Sequence, residues 1–116
     1  MNFIKYENAE QGTNSDICKT LEYSFGDKDI DLGIATIMGR YPEKGYCMNL
    51  ESKELVYVIE GSGEIHFNNN SVKFSKGDSI LINNNEKYYW NSEYYKVAMT
   101  CTPAWNKEQY RIIESD

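Results

Sequence analysis

The chain has 116 residues, 41% of them apolar, and a formal net charge of -6. A chain of this length buries roughly two thirds of its unfolded surface, so we predict a single domain over residues 1–116. The 12 basic residues are scattered and outnumbered by 18 acidic ones, which disfavours a nucleic-acid partner. No apolar segment approaches the length of a membrane span, so a membrane partner is also disfavoured.

The three cysteines, Cys18, Cys47 and Cys101, are far apart and contain no Cys-x-x-Cys pair. Neither a disulfide framework nor a structural zinc site is therefore indicated. The first residues also lack the charged start and long apolar run of an export signal. We expect a soluble protein of the reducing cytoplasm.

The N-terminal third of the chain contains one weak and one strong strand pattern. Residues 12–16 are small and polar and predict a loop, and a weak alternation follows from Ile17 to Leu21. Residues 26–29 predict a turn. The run from Leu32 to Met38 is apolar enough for a strand that is covered on both faces, and residues 41–45 close it.

The central strand begins at Glu54 and is rich in β-branched and aromatic residues. Side chains alternate across a strand, so Glu54, Val56 and Val58 are expected to face the interior together. The Gly61-Ser62-Gly63 sequence predicts a tight reversal after this strand, followed by a returning strand. In the shorter segment before it, Cys47 and Asn49 should likewise share one face.

The second half of the chain consists of short apolar segments separated by turn residues. The asparagine runs at 68–70 and 83–85 predict reversals, because asparagine tolerates left-handed backbone angles. A Gly-Asp pair at 77–78 predicts another turn. The strands expected between these turns cover residues 71–74, 79–82, 87–91 and 94–102.

The C-terminal segment has a helix start signal. Asn106 is a capping residue and Gln109 follows three residues later, so we predict a short helix from Lys107 to Ile113. The evenly spaced short strands before it are typical of an antiparallel sandwich or barrel. The predicted fold class is therefore all-β, with a short C-terminal helical segment.

Two stretches, one around Glu54 and one around Gly77, resemble the two sequence motifs of a small single-domain cupin. The first motif contains a glycine, a His-x-His pair, a glutamate and a closing glycine, and Gly45, Glu54 and Gly61 match it. The second opens with Gly-Asp, which matches residues 77–78. The resemblance implies an antiparallel double-stranded β-helix, or jelly-roll barrel, with a core over about residues 32–102.

The outer face of the central strand also carries apolar residues. Tyr57 and Ile59 lie on the opposite parity from Glu54, so this face requires cover from another strand or another subunit. Cupins commonly dimerise by packing such sheets together. The resemblance therefore implies a homodimer.

The histidines that hold the cupin metal are replaced in this chain. Counting back from Glu54, the His-x-His positions fall on Cys47 and Asn49, or on Met48 and Leu50 if the spacing is one residue shorter. The last histidine position falls on Tyr88. Cupin iron, manganese and zinc sites rely on three imidazoles and the glutamate, and His66 is the single histidine here. We read His66 as a surface or cavity-wall residue and predict no metal and no other cofactor.

The resemblance places a set of candidate ligand-binding residues around the barrel interior. They are Arg40, Cys47, Asn49, Glu54, Tyr88 and Trp90. A carboxylate among apolar neighbours must be paired, hydrogen-bonded or protonated, which makes Glu54 the polar anchor of this pocket. The alternative is a solvent-exposed glutamate at the strand start, facing Lys53 or Lys87.

The other candidates also have structural alternatives. Tyr88 and Trp90 either line the pocket or form an aromatic core pair. Cys47 is either a reactive thiol or, as buried free cysteines usually are, a small apolar filler. Arg40 either clamps a carboxylate or phosphate of a ligand or forms an ion pair with a nearby glutamate.

The residues support three functional hypotheses. The first is a metal-free cupin that binds a sugar-like molecule or an organic acid for sensing or sequestration, since the histidines are lost while the glycines and Glu54 remain. The second is a metal-independent sugar isomerase or epimerase with Glu54 as catalytic base and Tyr88 as catalytic acid. The third is a metal-dependent cupin enzyme with atypical ligands.

Overall fold

The computed structural model describes residues 1–114. Nine strands form one curled antiparallel sheet, and no α-helix occurs in these residues. The strands are β1 Glu10–Ser15, β2 Cys18–Tyr23, β3 Leu32–Tyr41, β4 Tyr46–Asn49, β5 Lys53–Phe67, β6 Asn70–Ser75, β7 Ser79–Ile82, β8 Tyr88–Thr102 and β9 Tyr110–Ile113. Single turns of 3-10 helix lie at Tyr6–Asn8 and Lys107–Gln109. Neither turn, nor any other helix within residues 1–114, could cross a membrane.

Two long strands, β5 and β8, form the centre of the sheet. They pair antiparallel over their full lengths, from Lys53 opposite Thr102 to Phe67 opposite Tyr88. The other edge of β8 pairs with β3 and, near its start, with β4. The other edge of β5 pairs first with β7 and then with β6. All remaining strands are therefore attached directly or indirectly to this pair.

The first half of β5 alternates strictly between the interior and the outer surface. Glu54, Val56 and Val58 are buried, whereas Leu55 and Tyr57 are each 53% exposed. The predicted parity of this strand is therefore confirmed. The core that it faces is formed by Cys18, Ala35, Ile37, Cys47, Val56, Val58, Ile65, Phe74, Ile82, Tyr88, Trp90, Tyr95 and Val97.

The predicted reversal at Gly61-Ser62-Gly63 is wrong, because β5 continues through these residues. The register between β5 and β8 shifts on both sides of Gly61, which marks β-bulges in the ladder. Gly61 has φ +82°, and a Cβ atom there would lie 2.2 Å from the carbonyl oxygen of Tyr94. The glycine thus permits a close approach of two backbones within a bent ladder, and it does not form a hairpin. On the partner strand, the two segments predicted at 87–91 and 94–102 are one continuous strand.

Two further predictions near the chain ends are wrong. Residues 12–15 were expected in a loop but lie in β1, which pairs with β2. At the C-terminus, Asn106 accepts a hydrogen bond from the Gln109 N–H as a cap should, but only one 3-10 turn follows. Residues 110–113 form β9 instead of a helix, because β4 offers an unpaired edge and the two β-branched residues Ile112 and Ile113 suit a strand.

The asparagine turns are confirmed. Asn68 and Asn69 have φ 47° and 62° between β5 and β6, and Asn85 has φ 65° between β7 and β8. The predicted strand Ser79–Ile82 is observed with the same bounds. These reversals follow from local turn chemistry, and the Asn85 turn is also held by a hydrogen bond of 2.7 Å from its backbone N–H to the carbonyl oxygen of Asn49.

We expect Gly61→Ala to destabilise the fold by roughly 3 kcal/mol or more, since the added methyl group meets the Tyr94 carbonyl and the backbone angle is strained. Gly26→Ala is the matched control, because Gly26 has φ +74° but nothing within 4 Å of the added Cβ. Its cost should be limited to about 1–2 kcal/mol of backbone strain. Urea unfolding of both variants measures the difference, and equal losses would contradict the role given to Gly61.

Candidate functional site

The curled sheet encloses a cavity of about 520 Å³. Its wall is formed by β1, β2, β3, β5, β8 and β9 together with the segments before β3 and after β8. Carboxylates and aromatic rings dominate its polar lining. They are Glu22, Asp31, Glu54, Tyr23, Tyr41, Tyr88, Trp90, Trp105 and Tyr110.

Glu54 is the most deeply placed carboxylate of this cavity, with a relative exposure of 7%. The Cys101 thiol donates a hydrogen bond to its Oε1, with 3.6 Å between sulfur and oxygen. Burial raises the pKa of Glu54 to about 7, and hydrogen bonds from Cys101 and Asn49 only partly offset this rise. Near neutral pH the side chain therefore exists in both protonated and ionised forms, as a polar anchor or an acid–base group requires. The structure therefore does not support the alternative of a solvent-exposed glutamate at the strand start.

Tyr88 and Trp90 lie two residues apart on β8 and both line the cavity. Their rings pack edge to face with centroids 6.1 Å apart. Burial, and then the nearby Glu54, raise the pKa of Tyr88 well above its ordinary value. Its phenol therefore stays protonated and can donate a hydrogen bond. The structure thus brings together Glu54, Tyr88 and Trp90.

Cys47 and Asn49 are buried on β4 but do not line the cavity. The Cys47 thiol donates to the backbone carbonyl of Tyr88 at 3.5 Å, and burial raises its pKa to about 12. This environment matches the apolar filler better than a reactive thiol. The Asn49 side-chain oxygen accepts a hydrogen bond of 3.0 Å from the Trp105 indole N–H, so Asn49 positions another residue of the wall.

Arg40 lies outside the cavity lining. Its guanidinium donates to the carbonyl oxygens of Pro42 and Gly45, at 2.6 and 2.9 Å, and stacks 3.7 Å above the centre of the Tyr89 ring. These contacts hold the loop after β3 in place, and among residues 1–114 no ion pair of Arg40 with a glutamate is observed. The placement does not support a ligand clamp. The opposite face of Tyr89 stacks on His66, which also lies outside the cavity lining.

The side chains at the cupin histidine positions are a poor fit for a metal. Within residues 1–114, no group of three or more His, Cys, Asp or Glu side chains converges on a common point. Metal ligands must be deprotonated or present a free lone pair. Cys47 and Tyr88 have raised pKa values, and the Asn49 oxygen is already engaged by Trp105. Glu54 is the one remaining ligand of the usual set.

Several cavity residues were missed by the sequence reasoning. Cys18, Thr20 and Glu22 all line the cavity from β2, with Cys18 buried and Glu22 exposed to solvent, and extending the weak strand pattern to residue 23 would have placed them on one face. Asp31 and Trp105 lie in connecting segments, where periodicity carries no signal. Asp31 accepts hydrogen bonds of 2.9 Å from the backbone N–H groups of Cys101 and Trp105, which holds the two segments together.

Solved structures with the same architecture include a protein described as an RmlC-like cupin from Shewanella frigidimarina. It superposes with a TM-score of 0.77 at 16% identity, covering 93% of this chain and 96% of the other. The chain has the cupin fold. The expectation of a cupin jelly-roll barrel is therefore confirmed, although no protein-family model and no curated protein sequence matches the chain.

Two other cupin-fold structures cover 98% of this chain. The nucleoside dehydratase Pac13 has a TM-score of 0.84 at 20% identity, with 92% of that chain covered. A variant of Streptomyces PAC13 with uridine has a TM-score of 0.82 at 22% identity, with 93% covered. At these identities the likeness concerns the fold.

The raised pKa of Glu54 predicts that stability falls as pH rises. The folded state binds more protons than the unfolded state between the ordinary pKa of 4.5 and the raised value of about 7. The free energy of unfolding should therefore decrease across this window, by up to about 3 kcal/mol. Urea unfolding at about pH 5 and about pH 8 measures the change.

Two variants isolate the contribution of Glu54 to this dependence. Glu54→Gln should flatten the pH dependence, because glutamine does not titrate. Glu43→Gln should leave it unchanged, since Glu43 is exposed in the loop after β3. A Glu54→Gln variant that keeps the full decrease between the two pH values would show that other groups cause it.

Proposed function

We propose that this chain binds a small polar molecule with sugar-like hydroxyl groups in its cavity, and that it does so without a metal. The observation that carries the proposal is the convergence of Glu54, Tyr88 and Trp90 on one cavity of about 520 Å³. That volume lies within the range of about 300–1,000 Å³ that is typical of small-molecule sites. The rings offer flat apolar walls, while the carboxyl and phenol supply oriented hydrogen bonds.

The fold neighbours add support for a nucleoside-type ligand. One similar structure is described as a nucleoside dehydratase and another as a complex with uridine. A nucleoside combines a flat base, which stacks on aromatic rings, with a hydroxyl-rich sugar. The three cysteines are buried and unpaired, which supports the cytoplasm as the proposed location.

Uridine is a suitable first probe of binding. We expect it to bind with a dissociation constant below about 1 mM, measured by isothermal titration calorimetry. Glu54→Gln and Tyr88→Phe should each weaken binding by about tenfold, because each removes a hydrogen-bonding group of the cavity. Tyr57→Phe is the matched control for Tyr88→Phe, because it also removes a tyrosine hydroxyl group, but from a side chain on the outer face of β5. Absence of uridine binding, or equal affinities of all variants, would contradict the nucleoside proposal.

Dialysis against a chelator tests the metal-free part of this proposal within the same titration. We expect uridine affinity to be unchanged after dialysis. A loss of binding that iron, manganese or zinc restores would instead support a metal-dependent cupin with atypical ligands.

A metal-independent sugar isomerase or epimerase is the second candidate function. It is favoured by one specific observation, the pKa of about 7 of Glu54 in the same cavity as the protonated Tyr88. An acid–base group with a pKa near the working pH transfers protons efficiently.

Proton abstraction from a sugar can be followed as exchange of a carbon-bound hydrogen with D₂O. If the protein is an isomerase or epimerase, a free aldose or ketose should incorporate deuterium in NMR spectra. Glu54→Gln should reduce the rate by at least about a hundredfold. Tyr57→Phe should retain the rate. Exchange that survives both Glu54→Gln and Tyr88→Phe would exclude these residues as the base and the acid.

We also propose that the chain forms a homodimer. Leu55, Tyr57 and Leu81 form an exposed apolar patch on the outer face of β5 and β7, where Leu55 and Leu81 are paired neighbours. Such a patch is typical of an interface between subunits.

Light scattering at micromolar concentration should give the mass of a dimer. Leu81→Lys should shift this mass towards that of the monomer, because it places a charge in the patch. Val72→Lys, which alters an exposed apolar residue on β6, should not. A monomer in the unmodified protein would exclude the dimer.

A further inference from the structure

One sign of charge dominates the cavity. Glu22, Asp31 and Glu54 contribute carboxyl groups to its wall, and within residues 1–114 no lysine, arginine or histidine lines it. Arg40 cannot provide the missing positive charge, because its guanidinium is held by two backbone carbonyls and the Tyr89 ring outside the cavity. A ligand that enters therefore meets negative charge, hydrogen-bond acceptors and the protonated Tyr88 phenol, but no cation.

Glu22 is directed over the cavity by the absence of a side chain on the neighbouring strand. It pairs with Gly33 across β2 and β3, and a Cβ atom on Gly33 would lie 2.9 Å from Glu22 Oε2. The glycine thus leaves the space that this carboxylate occupies. Within residues 1–114, Glu22 has no hydrogen-bond or ion-pair partner of its own. Its pKa is raised, first by burial and then by Asp31 and Glu10, as expected for a carboxylate that faces like charges.

A buried tyrosine packs behind the cavity wall. Tyr95 is fully buried, and its hydroxyl has no hydrogen-bond partner within residues 1–114. Its ring packs against Trp90 of the cavity wall, with 5.1 Å between the ring centroids. A buried hydroxyl without a partner costs free energy, which an ordered water would offset.

We infer that this cavity selects ligands without negative charge and that Glu22 is a specificity-determining residue at its wall. The ligand class is then a nucleoside or free sugar, and nucleotides, sugar phosphates and organic acids are rejected. This inference rests on the proposed function, because it concerns the ligand of the same cavity. It removes the organic acid from the two ligand classes expected from the sequence. Hydroxyl and N–H groups remain suitable, since each can donate a hydrogen bond to a carboxylate.

The test compares uridine with uridine 5′-monophosphate by calorimetry at constant ionic strength near pH 7.5. We expect the phosphate to weaken binding by at least about tenfold, since like charges repel strongly in a partly buried site. A 5′-O-acetyl uridine, which carries a neutral group at the same position, separates charge from size and should bind within a few-fold of uridine.

Two glutamate variants test the role of Glu22. Glu22→Gln should reduce the discrimination between uridine and its monophosphate several-fold, because it removes one cavity charge without changing side-chain size. Glu43→Gln removes the same charge from an exposed loop and should leave the discrimination unchanged. A ratio that is unaltered in Glu22→Gln would overturn the role of Glu22.

The remaining outcomes distinguish this inference from the proposed function. Equal or tighter binding of the monophosphate, or rejection of the acetyl compound as well, would overturn charge selection while nucleoside binding stands. Absence of binding by all three compounds would overturn the nucleoside proposal and this inference with it.

Discussion

The antiparallel pairing of β5 with β8 is the constraint on which the rest of the molecule depends. Each strand has 15 residues, so a flat ladder would separate its ends by about 45–50 Å. Glu54 lies near one end of this ladder and Tyr88 at the other, yet both line the same cavity. The ladder must therefore curl strongly. The bulges around Gly61 supply the bend, because glycine allows the β5 backbone to approach the Tyr94 carbonyl.

The cavity produced by this curling contains a group that a purely structural core would avoid. Glu54 is buried without a cation, and its raised pKa expresses the cost of placing its charge there. An apolar residue at this position would pack without this cost. The presence of Glu54 in the same cavity as Trp90 and Tyr88 therefore supports the proposed ligand site.

Two of the three residues that the resemblance places at cupin histidine positions, Cys47 and Asn49, make structural contacts, whereas Tyr88 lines the cavity. Cys47 binds a backbone carbonyl of β8, and Asn49 holds the Trp105 indole at the edge of the cavity. Cys47 and Asn49 lie behind the wall, and further polar residues of the cavity come from β2 and from the segment before β3. Glu22 and Asp31 are of this kind, and they give the cavity its negative character.

Much of the fold could be predicted because its signals are local. Alternation placed Glu54, Val56 and Val58 on the interior face, and the asparagine turns follow from backbone preferences of single residues. The Gly-Asp and glutamate positions predicted a cupin barrel. By contrast, the conformation of Gly61 depends on β8, which lies more than 30 residues away, so the same glycine is compatible with a hairpin or with a bulge.

The sequence by itself determined the alternation of the central strand and the asparagine turns. Only the tertiary structure decided which polar residues meet in the cavity, and it placed Arg40 outside and Glu22 within. The C-terminal residues that were predicted to be helical form β9 in the structure, because the edge of β4 offers their backbone hydrogen bonds that an isolated segment lacks. The physical reason is the same in each case. Backbone pairing and burial join residues that are distant in the chain, and local patterns carry no information about such partners.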